Sequence, residues 1–471
     1  MGRQKRFWSS WTSATRLRQT GISIVATVAP DHLEKLTDML VDIGEDPAEV
    51  ERRFHFSDLE SLHYASFSVI PGAEGDSVLF FEANIDGSAK EFLDDLVRTS
   101  ASVIDEIYSH CRDYPVTGPD GALPAEDVVR YLHRHDLGPG TLFVAWPGMS
   151  VDVICRDDLL RRRIQAFLDE PAQQRIRGLP ADEAYHQVIA AIRAERDLTW
   201  AFDPEPKPAP ARSRQLTFGM GAVVVTLVVL VRSGQARPVA SVLLWSIPAL
   251  LLALTGVATA AAIRLRVTER ADDRADEARE EPWSMTYANW VENLSMVRHR
   301  EDTRNQNHMS TVAEVKPGRF RRFMLGLVLA AVPLVARFSP PGSLAGIPSI
   351  HFARWVVTKD RKQLIFLSNF DGSWESYLND FIDLAASGLT GVWTNSTNAV
   401  GFPRTKWLIT QGAKDEPRFK AFARYGTVRT LVWYGAYPEL SISNISNNHA
   451  IRVGLSQKLK GDAAAAWLRR L

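Results

Sequence analysis

A five-residue element, Asn-x-Asp-Gly-Ser, occurs twice in this sequence, at residues 84–88 and 369–373. Each copy follows an apolar run typical of a strand and precedes an amphipathic pattern typical of a helix. Asp-Gly favours a tight turn, and an Asp or Ser side chain can accept hydrogen bonds from the free N–H groups at the start of a helix. Because a helix start beside an acid can also bind a ligand, Asn369 and Ser373 are candidate ligand-binding residues and Asp371 is a candidate catalytic acid.

A histidine lies upstream of the element at the same place in each copy: His63 and His351, each followed by an aromatic residue and alanine. In a half-buried strand both rings would face the interface between two sheets, either as hydrogen-bonded structural groups or as reactive ones. Arg354 stands where the first copy has Ser66. We therefore group His351 and Arg354 with Asp371 as candidate catalytic residues.

The two copies differ most in residues 388–412, a stretch rich in glycine, aromatic residues and amides. Such side chains with an arginine, on a loop bounded by Gly and Pro, are typical of a binding site on a rigid scaffold. They would equally suit a contact with a membrane segment. The candidate ligand-binding residues in this stretch are Trp393, Asn395, Arg404 and Trp407.

Familiar catalytic and metal-binding motifs are missing from the sequence. It contains no P-loop, dinucleotide fingerprint, GxSxG or HExxH motif. The histidines of the polar segment His299–Ser310 lack the spacing of a zinc site, so no metal site is predicted. The two cysteines, Cys111 and Cys155, are too few for a disulfide framework and favour a reducing compartment.

The repeated element belongs to a longer internal duplication. Residues 62–70 resemble residues 350–358, and residues 79–97 resemble residues 364–382, in the same order and at a nearly constant offset. Each copy has the pattern strand, helix, strand, strand, helix, strand, with an extra helix before the last strand. This is the order of a ferredoxin-like fold. We therefore predict an α+β protein of two tandem ferredoxin-like repeats forming a pseudo-dimer, with a transmembrane helical hairpin inserted between them.

Two uncharged apolar runs separate the repeats, Leu216–Val231 and Val239–Ile263, and a short turn joins them. A bilayer core of about 30 Å needs roughly 20 helical residues, a length that the second run meets and the first approaches. The sequence predicts a transmembrane hairpin over residues 216–263, which also offers a surface for oligomerisation. A hairpin buried in a globular core is the alternative.

Arginines flank the two ends of this hairpin and are fewer in its turn. The positive-inside rule then places both repeats in the cytoplasm, as parts of an integral protein of the plasma (inner) membrane. A third apolar run, Phe323–Phe338, corresponds to the first helix of the second repeat and is interrupted by Pro333. We predict that this helix, over residues 320–338, lies in the membrane interface or packs against the hairpin. As a third span, it would place the C-terminal part on the far side.

Composition completes the predicted organisation: a basic aromatic tail (1–20), repeat 1 (21–200), a Pro-rich linker (201–215), the hairpin, a charged connector (264–305) and repeat 2 (306–471). The chain has 471 residues, with 55 basic and 55 acidic side chains, and this zero balance argues against a nucleic-acid partner. The net charge of zero results from an acidic first repeat and a basic C-terminal end that cancel each other. Trp8 and Trp11, set among basic residues in the tail, suit an anionic membrane surface.

The order of elements and the duplication resemble the dimeric α+β barrel superfamily, which includes Dyp-type peroxidases, chlorite dismutases and small monooxygenases. Dyp-type peroxidases carry a G-x-x-D-G motif. Asp371 and Gly372 match its second half, while Ser368 or Asn369 replaces its first glycine, depending on the register. The resemblance implies haem as a cofactor, with His449 as the proximal ligand and with Asp371 and Arg354 on the distal side.

The sequence leaves three functions open. The first is a membrane-anchored, cytoplasm-facing protein with a cleft between the repeats, lined mainly by the second, that binds a small apolar or lipid-derived ligand with or without catalysis. The second is a scaffold that binds a protein partner at the membrane. The third is a haem-dependent, peroxidase-like oxidoreductase. A solidly packed space between the repeats would contradict the cleft of the first function.

Overall fold

The computed structural model describes residues 18–72, 75–115, 123–203, 236–277, 301 and 304–471. The predicted α+β class is confirmed, since helices and antiparallel sheets alternate along the chain. The helices are α1 (Leu33–Glu45), α2 (Pro47–Phe54), α3 (Ala89–Tyr108), α4 (Ala125–His135), α5 (Val151–Asp169), α6 (Ala181–Ala194), α7 (Ala236–Glu277), α8 (Arg319–Phe338), α9 (Trp374–Trp393), α10 (Glu416–Gly426), α11 (Ile442–Leu455) and α12 (Asp462–Leu468). Short 3-10 turns cover Pro30–His32, Phe56–Asp58, Pro171–Gly178, Arg196–Phe202 and Gly412–Lys414.

The strands form two main antiparallel sheets. They are β1 (Gln19–Thr27), β2 (Leu62–Pro71), β3 (Ser77–Asp86), β4 (Thr141–Val144), β5 (Gln306–Val315), β6 (Ile350–Val357), β7 (Gln363–Asp371), β8 (Ser396–Thr397), β9 (Thr405–Lys406), β10 (Thr410–Gln411), β11 (Thr427–Val428) and β12 (Thr430–Gly435). The first sheet has the order β1-β3-β2-β12, and the second has the order β11-β5-β7-β6-β4, with β8 also paired to β5. A small hairpin pairs β9 with β10.

Each main sheet is completed by a strand from the other half of the chain. Strand β12 pairs with β2, with Trp433 opposite Ser66. Strand β4 pairs with β6, with Phe143 opposite Ala353. We call the first sheet with α1–α4 the first lobe, and the second sheet with α8–α10 the second lobe. Because the two lobes share hydrogen-bonded strands, they lie on the same side of any membrane.

Amphipathic helices cover the outer face of each sheet. In α1, for example, Leu36, Leu40 and Ile43 recur at helical spacing and are buried against the first sheet, where Leu431 and Val432 of β12 join the same core. The second lobe has its own aromatic-rich core beneath α8, α9 and α10. A third apolar cluster joins α5 and α6 to α11 and α12, so it also draws on both halves of the chain.

Helix α8 connects β5 to β6, two strands of one sheet, and therefore begins and ends on the same side of a membrane. A third span at this place, left open by the sequence, is thus wrong. The helix starts within one residue of the predicted position and continues through Pro333 to Phe338.

Within the described part of the chain, one helical segment, Leu251–Ala275, is long and apolar enough to cross a membrane by length and composition. It belongs to α7, which is continuous over 42 residues. The predicted boundary at residue 263 therefore lies inside one helix. The first predicted apolar run, Leu216–Val231, lies outside the described residues, so the predicted hairpin is not observed as such.

The predicted loop over residues 388–412 begins as helix, since α9 runs through Trp393. Two glycines, Gly388 and Gly391, do not stop it. A Cβ on Gly391 would come within 3.5 Å of both Ile409 and Val328, so a residue without a side chain suits this close packing. Glycine inside a helix costs about 1 kcal/mol relative to alanine, which this packing can offset.

Candidate functional site

The acid of the second repeated element, Asp371, joins a histidine to the start of a helix from elsewhere in the chain. Its Oδ1 atom lies 2.7 Å from His351 Nε2, and its Oδ2 atom accepts a hydrogen bond of 2.7 Å from the N–H of Ile442. Ile442 is the first residue of α11, which follows the exchanged strand β12. Asp371 therefore binds the first N–H of α11, whose N-cap is Ser441, whereas the sequence offered Asp371 or Ser373 as the cap of the helix directly after the element. That helix, α9, is capped by Ser373 through the N–H of Ser376.

The first element makes the same set of contacts. Asp86 Oδ1 lies 3.0 Å from His63 Nε2, and Asp86 Oδ2 accepts a hydrogen bond of 3.0 Å from the N–H of Val151. Val151 is the first residue of α5, which follows the exchanged strand β4. Each Asp–His pair thus holds the start of the helix that follows a strand shared with the other lobe, α5 after β4 and α11 after β12.

A chain of buried polar rings connects these pairs at the interface of the lobes. His63 Nδ1 lies 2.7 Å from the Tyr437 hydroxyl, and the Tyr64 hydroxyl donates to Gln306 Oε1 at 3.0 Å. Burial raises the pKa of both tyrosines well above the ordinary value of 10, so both phenols are neutral. A catalytic acid or base must reach its substrate. Because His63, His351 and these tyrosines are enclosed by protein, their placement favours a structural role.

The candidate Arg354 is fully buried and crosses from the second sheet to the first. Its guanidinium donates to the Ile22 carbonyl and the Asn84 side chain, both at 2.7 Å, and lies 3.1 Å from Glu82 Oε1. The other acceptors are the Ser23 hydroxyl at 3.1 Å and the Ala83 carbonyl at 2.7 Å. A guanidinium with this many partners holds two sheets together and is not free to meet a substrate.

Glu82 also accepts a hydrogen bond from His308, whose Nε2 lies 2.7 Å from Glu82 Oε2. Burial alone would raise the pKa of Glu82, but Arg354 and His308 outweigh it and lower the pKa from 4.5 to about 2. Burial lowers the pKa of Arg354 more than Glu82 raises it. The guanidinium nevertheless keeps its proton at neutral pH, so the pair is charged.

Acid should weaken the protein through Glu82. Its stabilising effect is fully present above pH 4.5 and is lost as the pH falls towards 2, because over this range the unfolded state binds a proton that the folded state does not. For this pKa difference the loss is about 3 kcal/mol. Urea unfolding between pH 6 and pH 2 should therefore show a shallower pH dependence in Glu82→Gln than in the wild type.

Glu183→Gln, on the exposed face of α6, is the matched control for that series and should follow the wild type. If wild type and Glu82→Gln lose stability in parallel, Glu82 does not stabilise the charged interface as its contacts indicate.

The remaining sequence candidates do not meet in one place. Asn369 accepts a hydrogen bond from Trp433 at the lobe interface, at 2.9 Å, and Asn395 donates to the Gly391 carbonyl at 3.0 Å. The side chains of Arg404 and Trp407 are exposed, and Trp393 is buried in the core of the second lobe.

Each residue to which the resemblance gave a haem role already makes other contacts in the structure. His449 lies on α11 and contacts Asp157 at 3.2 Å, while both terminal nitrogens of Arg354 are bound to the first lobe. Asp371 already binds His351 and the start of α11. The residues present therefore do not fit the haem roles that the resemblance implied. Among the residues that the structure describes, no three His, Cys, Asp or Glu side chains cluster as a metal site requires.

The space between the two sheets is filled. Ile70 and Phe80 of the first sheet pack on Val356, Ile365 and Leu367 of the second. At the edge of this interface, β5, β11 and β12 line a cavity of about 60 Å³, which has room for a few water molecules. For the described residues, the predicted ligand-binding cleft between the lobes is therefore contradicted by this packing.

A larger and more apolar cavity lies on the outer side of the second lobe, between α8 and α9. Its volume is about 340 Å³, in the range of small-molecule sites. We call it the α8–α9 groove. The residues that line it are Leu327, Val328, Ala331, Val332, Val335, Leu344, Ala345, Trp355, Phe381, Ala385, Ser387, Gly388, Leu389, Gly391, Val392 and Ile409. Apart from Ser387, these residues are apolar, aromatic or glycine.

The charged end of α7 is fastened to the second lobe beside this groove. The buried carboxylate of Glu269 accepts hydrogen bonds from the N–H groups of Leu408, at 2.7 Å, and Trp407, at 3.2 Å. These two residues form the tip of the β9–β10 hairpin, and both have a left-handed backbone, with φ of 69° and 56°. Arg266 lies over the Trp407 ring, and Asp272 pairs with Lys316 and Arg321.

The sequence missed several residues that organise these sites. Glu82 was visible as a single acid within the apolar strand LFFEANI, and a charge in a buried strand needs a partner. Tyr437 and His308 carry no comparable local signal. The groove had none either, because the apolar residues that line it resemble those of any core.

Comparisons of the chain with protein-family models, with curated protein sequences and with solved structures found no match. Over the residues that the structure describes, the chain is an α+β protein with antiparallel sheets and one helix that could cross a membrane.

Proposed function

We propose that this chain is a membrane-anchored protein of two ferredoxin-like lobes, which binds a small apolar or lipid-derived ligand in the α8–α9 groove. The groove carries the proposal, because about 340 Å³ of open apolar volume is costly to expose to water and stabilises an apolar chain that fills it. The ligand site thus moves from the filled inter-lobe space to the second lobe.

Matching contacts support a duplicated origin of the two lobes. The first residue of β1, Gln19, bonds the Met149 carbonyl that follows β4, and the first residue of β5, Gln306, bonds the Tyr437 carbonyl that follows β12. The two Asp–His pairs add a second correspondence. The facing sheets support a likeness to the dimeric α+β barrel superfamily in fold alone, and haem chemistry is not part of the proposal.

The topology of the lobes supports a membrane hairpin. The lobes share strands and so lie on one side of the membrane. If α7 crosses the bilayer once, the chain between residues 203 and 236 has to cross it once more to leave and return to that side. The uncharged run Leu216–Val231 is suited to this second crossing, and the flanking arginines favour the cytoplasm as the side of the lobes.

Filling the groove should abolish ligand binding without unfolding the lobe. A Cβ on Gly388 meets open space, and Gly388 lines the groove. In Gly388→Leu we expect labelling by a diazirine-bearing C16 fatty acid at residues 385–392 to fall roughly tenfold, equivalent to about 1.4 kcal/mol of lost binding. Adducts would be located by mass spectrometry of the full chain in mild detergent, with unlabelled fatty acid as competitor.

Gly326→Leu is the matched control. Gly326 lies on α8, a Cβ there also meets open space, and it does not line the groove. Its labelling should equal that of the wild type. Labelling of residues 385–392 that is equal in both variants, or that unlabelled fatty acid cannot compete, would contradict the groove as the binding site.

A further inference from the structure

The outer face of α8 carries a stripe of exposed apolar side chains. Phe323, Leu327, Leu334 and Phe338 are all more than half exposed, and Phe338 is 90% exposed. Their spacing of four, seven and four residues keeps them on one side of the helix. The opposite side, with Leu325 and Leu329, is buried in the core of the second lobe. A helix that is apolar on both sides is normally buried in protein or in lipid.

The anchor helix reaches the start of this stripe. Arg264, directly after the apolar run of α7 ends, lies 5.4 Å from the centre of the Phe320 ring in the first turn of α8. In the proposed membrane-anchored arrangement, the bilayer around the apolar part of α7 ends next to the residues where the stripe begins. This continuity identifies lipid as the cover of the stripe.

The charges around this junction fit a lipid surface. Arg319 and Arg322, in the first turn of α8, are exposed, as is Lys406 on the β9–β10 hairpin. Basic side chains attract anionic headgroups. Two acids of α7 that follow the junction, Glu269 and Asp272, are already bound to the hairpin backbone and to basic side chains. Trp407 and Ile409 of the hairpin are about half exposed, and tryptophan is enriched at the level of the headgroups.

We propose that the stripe of α8, together with Trp407 and Ile409, is a membrane-seating surface, on which the second lobe rests against the bilayer. Leu327 and Ile409 belong both to this surface and to the α8–α9 groove, which Ala331 and Val335 of α8 also line. The groove thus opens towards the lipid, and its ligand is the acyl chain of a membrane lipid that enters sideways from the bilayer. The seating surface rests on the membrane anchor of the proposed function, and this last step rests on its ligand as well.

The seating surface is tested by measuring the lipid contact of single side chains. Leu334→Cys and Phe338→Cys are made in the full chain with Cys155→Ser, because Cys155 is exposed whereas Cys111 is buried. Each protein is labelled with the fluorophore NBD and reconstituted in vesicles of phosphatidylcholine and phosphatidylglycerol. Lipids with a doxyl quencher on the acyl chain should quench both positions roughly threefold or more above the control. Asp94→Cys, exposed on α3 of the first lobe, is that control.

Quenching no stronger than at Asp94→Cys would overturn the seating surface. If the lipids do not quench these positions and the NBD groups instead quench one another as protein density rises, the seating surface is also overturned. The stripe would then be covered by a second copy of the chain.

Sideways access is tested with Phe338→Asp, which alters the stripe and not the groove lining. Labelling of residues 385–392 by the diazirine fatty acid should fall in vesicles and stay at the wild-type level in detergent. Equal labelling in vesicles would contradict access from the bilayer. Loss of labelling in detergent by the wild type itself would instead contradict the proposed function and leave the quenching result standing.

Discussion

Replacing Arg354 with alanine is expected to destabilise the protein by about 3–5 kcal/mol, the usual cost of leaving a buried charge without its partner. Glu82 is 2% exposed and loses its arginine partner, while the Ile22 and Ala83 carbonyls lose a shared donor. Because these acceptors belong to the first sheet and Arg354 to the second, the loss falls on the contact between the lobes. Thermal and urea unfolding of the purified full chain in detergent would measure it.

Two further variants test whether the loss of stability comes from the buried pair of Arg354 and Glu82. Arg112→Ala removes an ion pair with Asp76 in which both side chains are nearly half exposed, and it should change stability by no more than about 1 kcal/mol. Arg354→Ala combined with Glu82→Gln removes the uncompensated charge and should recover part of the loss. If Arg354→Ala were as mild as Arg112→Ala, the buried pair would not hold the lobes together.

Gly44→Ala is expected to displace strand β12 from the first lobe. Gly44 lies in the last turn of α1, and a Cβ there would overlap the backbone carbonyl of Leu431 in β12. Alanine favours a helix more than glycine does, so the expected loss comes from this overlap alone. Overpacking against a backbone that cannot give way should cost at least the ~1–3 kcal/mol typical of crowded cores.

The local readout of this variant is hydrogen exchange. Amides of β12, including Val432 and Trp433, should exchange faster in Gly44→Ala, and those of β2, their partner, should follow. Gly326→Ala is the matched control, since its Cβ meets open space, and it should be neutral or slightly stabilising. A stabilised Gly44→Ala with unchanged exchange in β12 would show that α1 and β12 do not pack as closely as described.

Sequence patterns predicted the α+β class and the helix of residues 320–338, because these depend on residues close in the chain or repeated in it. The pairing of β4 with the second sheet and of β12 with the first sheet was not predictable. Alternating hydrophobicity indicates that a segment such as Thr430–Gly435 is a strand, but it does not identify which strand it pairs with. The matching of Ser66 with Trp433, far apart in sequence, depends on the whole fold.

The candidate site was predicted less well, for a related reason. Trp393 and Asn395 are as suitable for a core as for a ligand site, and the surrounding helices decide between them. The groove combines residues from α8, α9 and the β9–β10 hairpin, and its volume depends on side chains that are absent at Gly388 and Gly391. Patterns of single segments contain no information about a space between segments.

The late position of β12 in the chain sets an order for biosynthesis. The first sheet lacks its fourth strand until residue 430 has been made, some 340 residues after Asp86, which at ribosomal speed is roughly 20–70 s. During that time β2 presents an open edge, and such edges invite wrong pairing. The apolar run of α7 leaves the ribosome within this interval, so we expect membrane insertion to come before closure of the first sheet. A nascent chain stopped before residue 430 should therefore be targeted to the membrane and yet remain sensitive to protease in its first lobe.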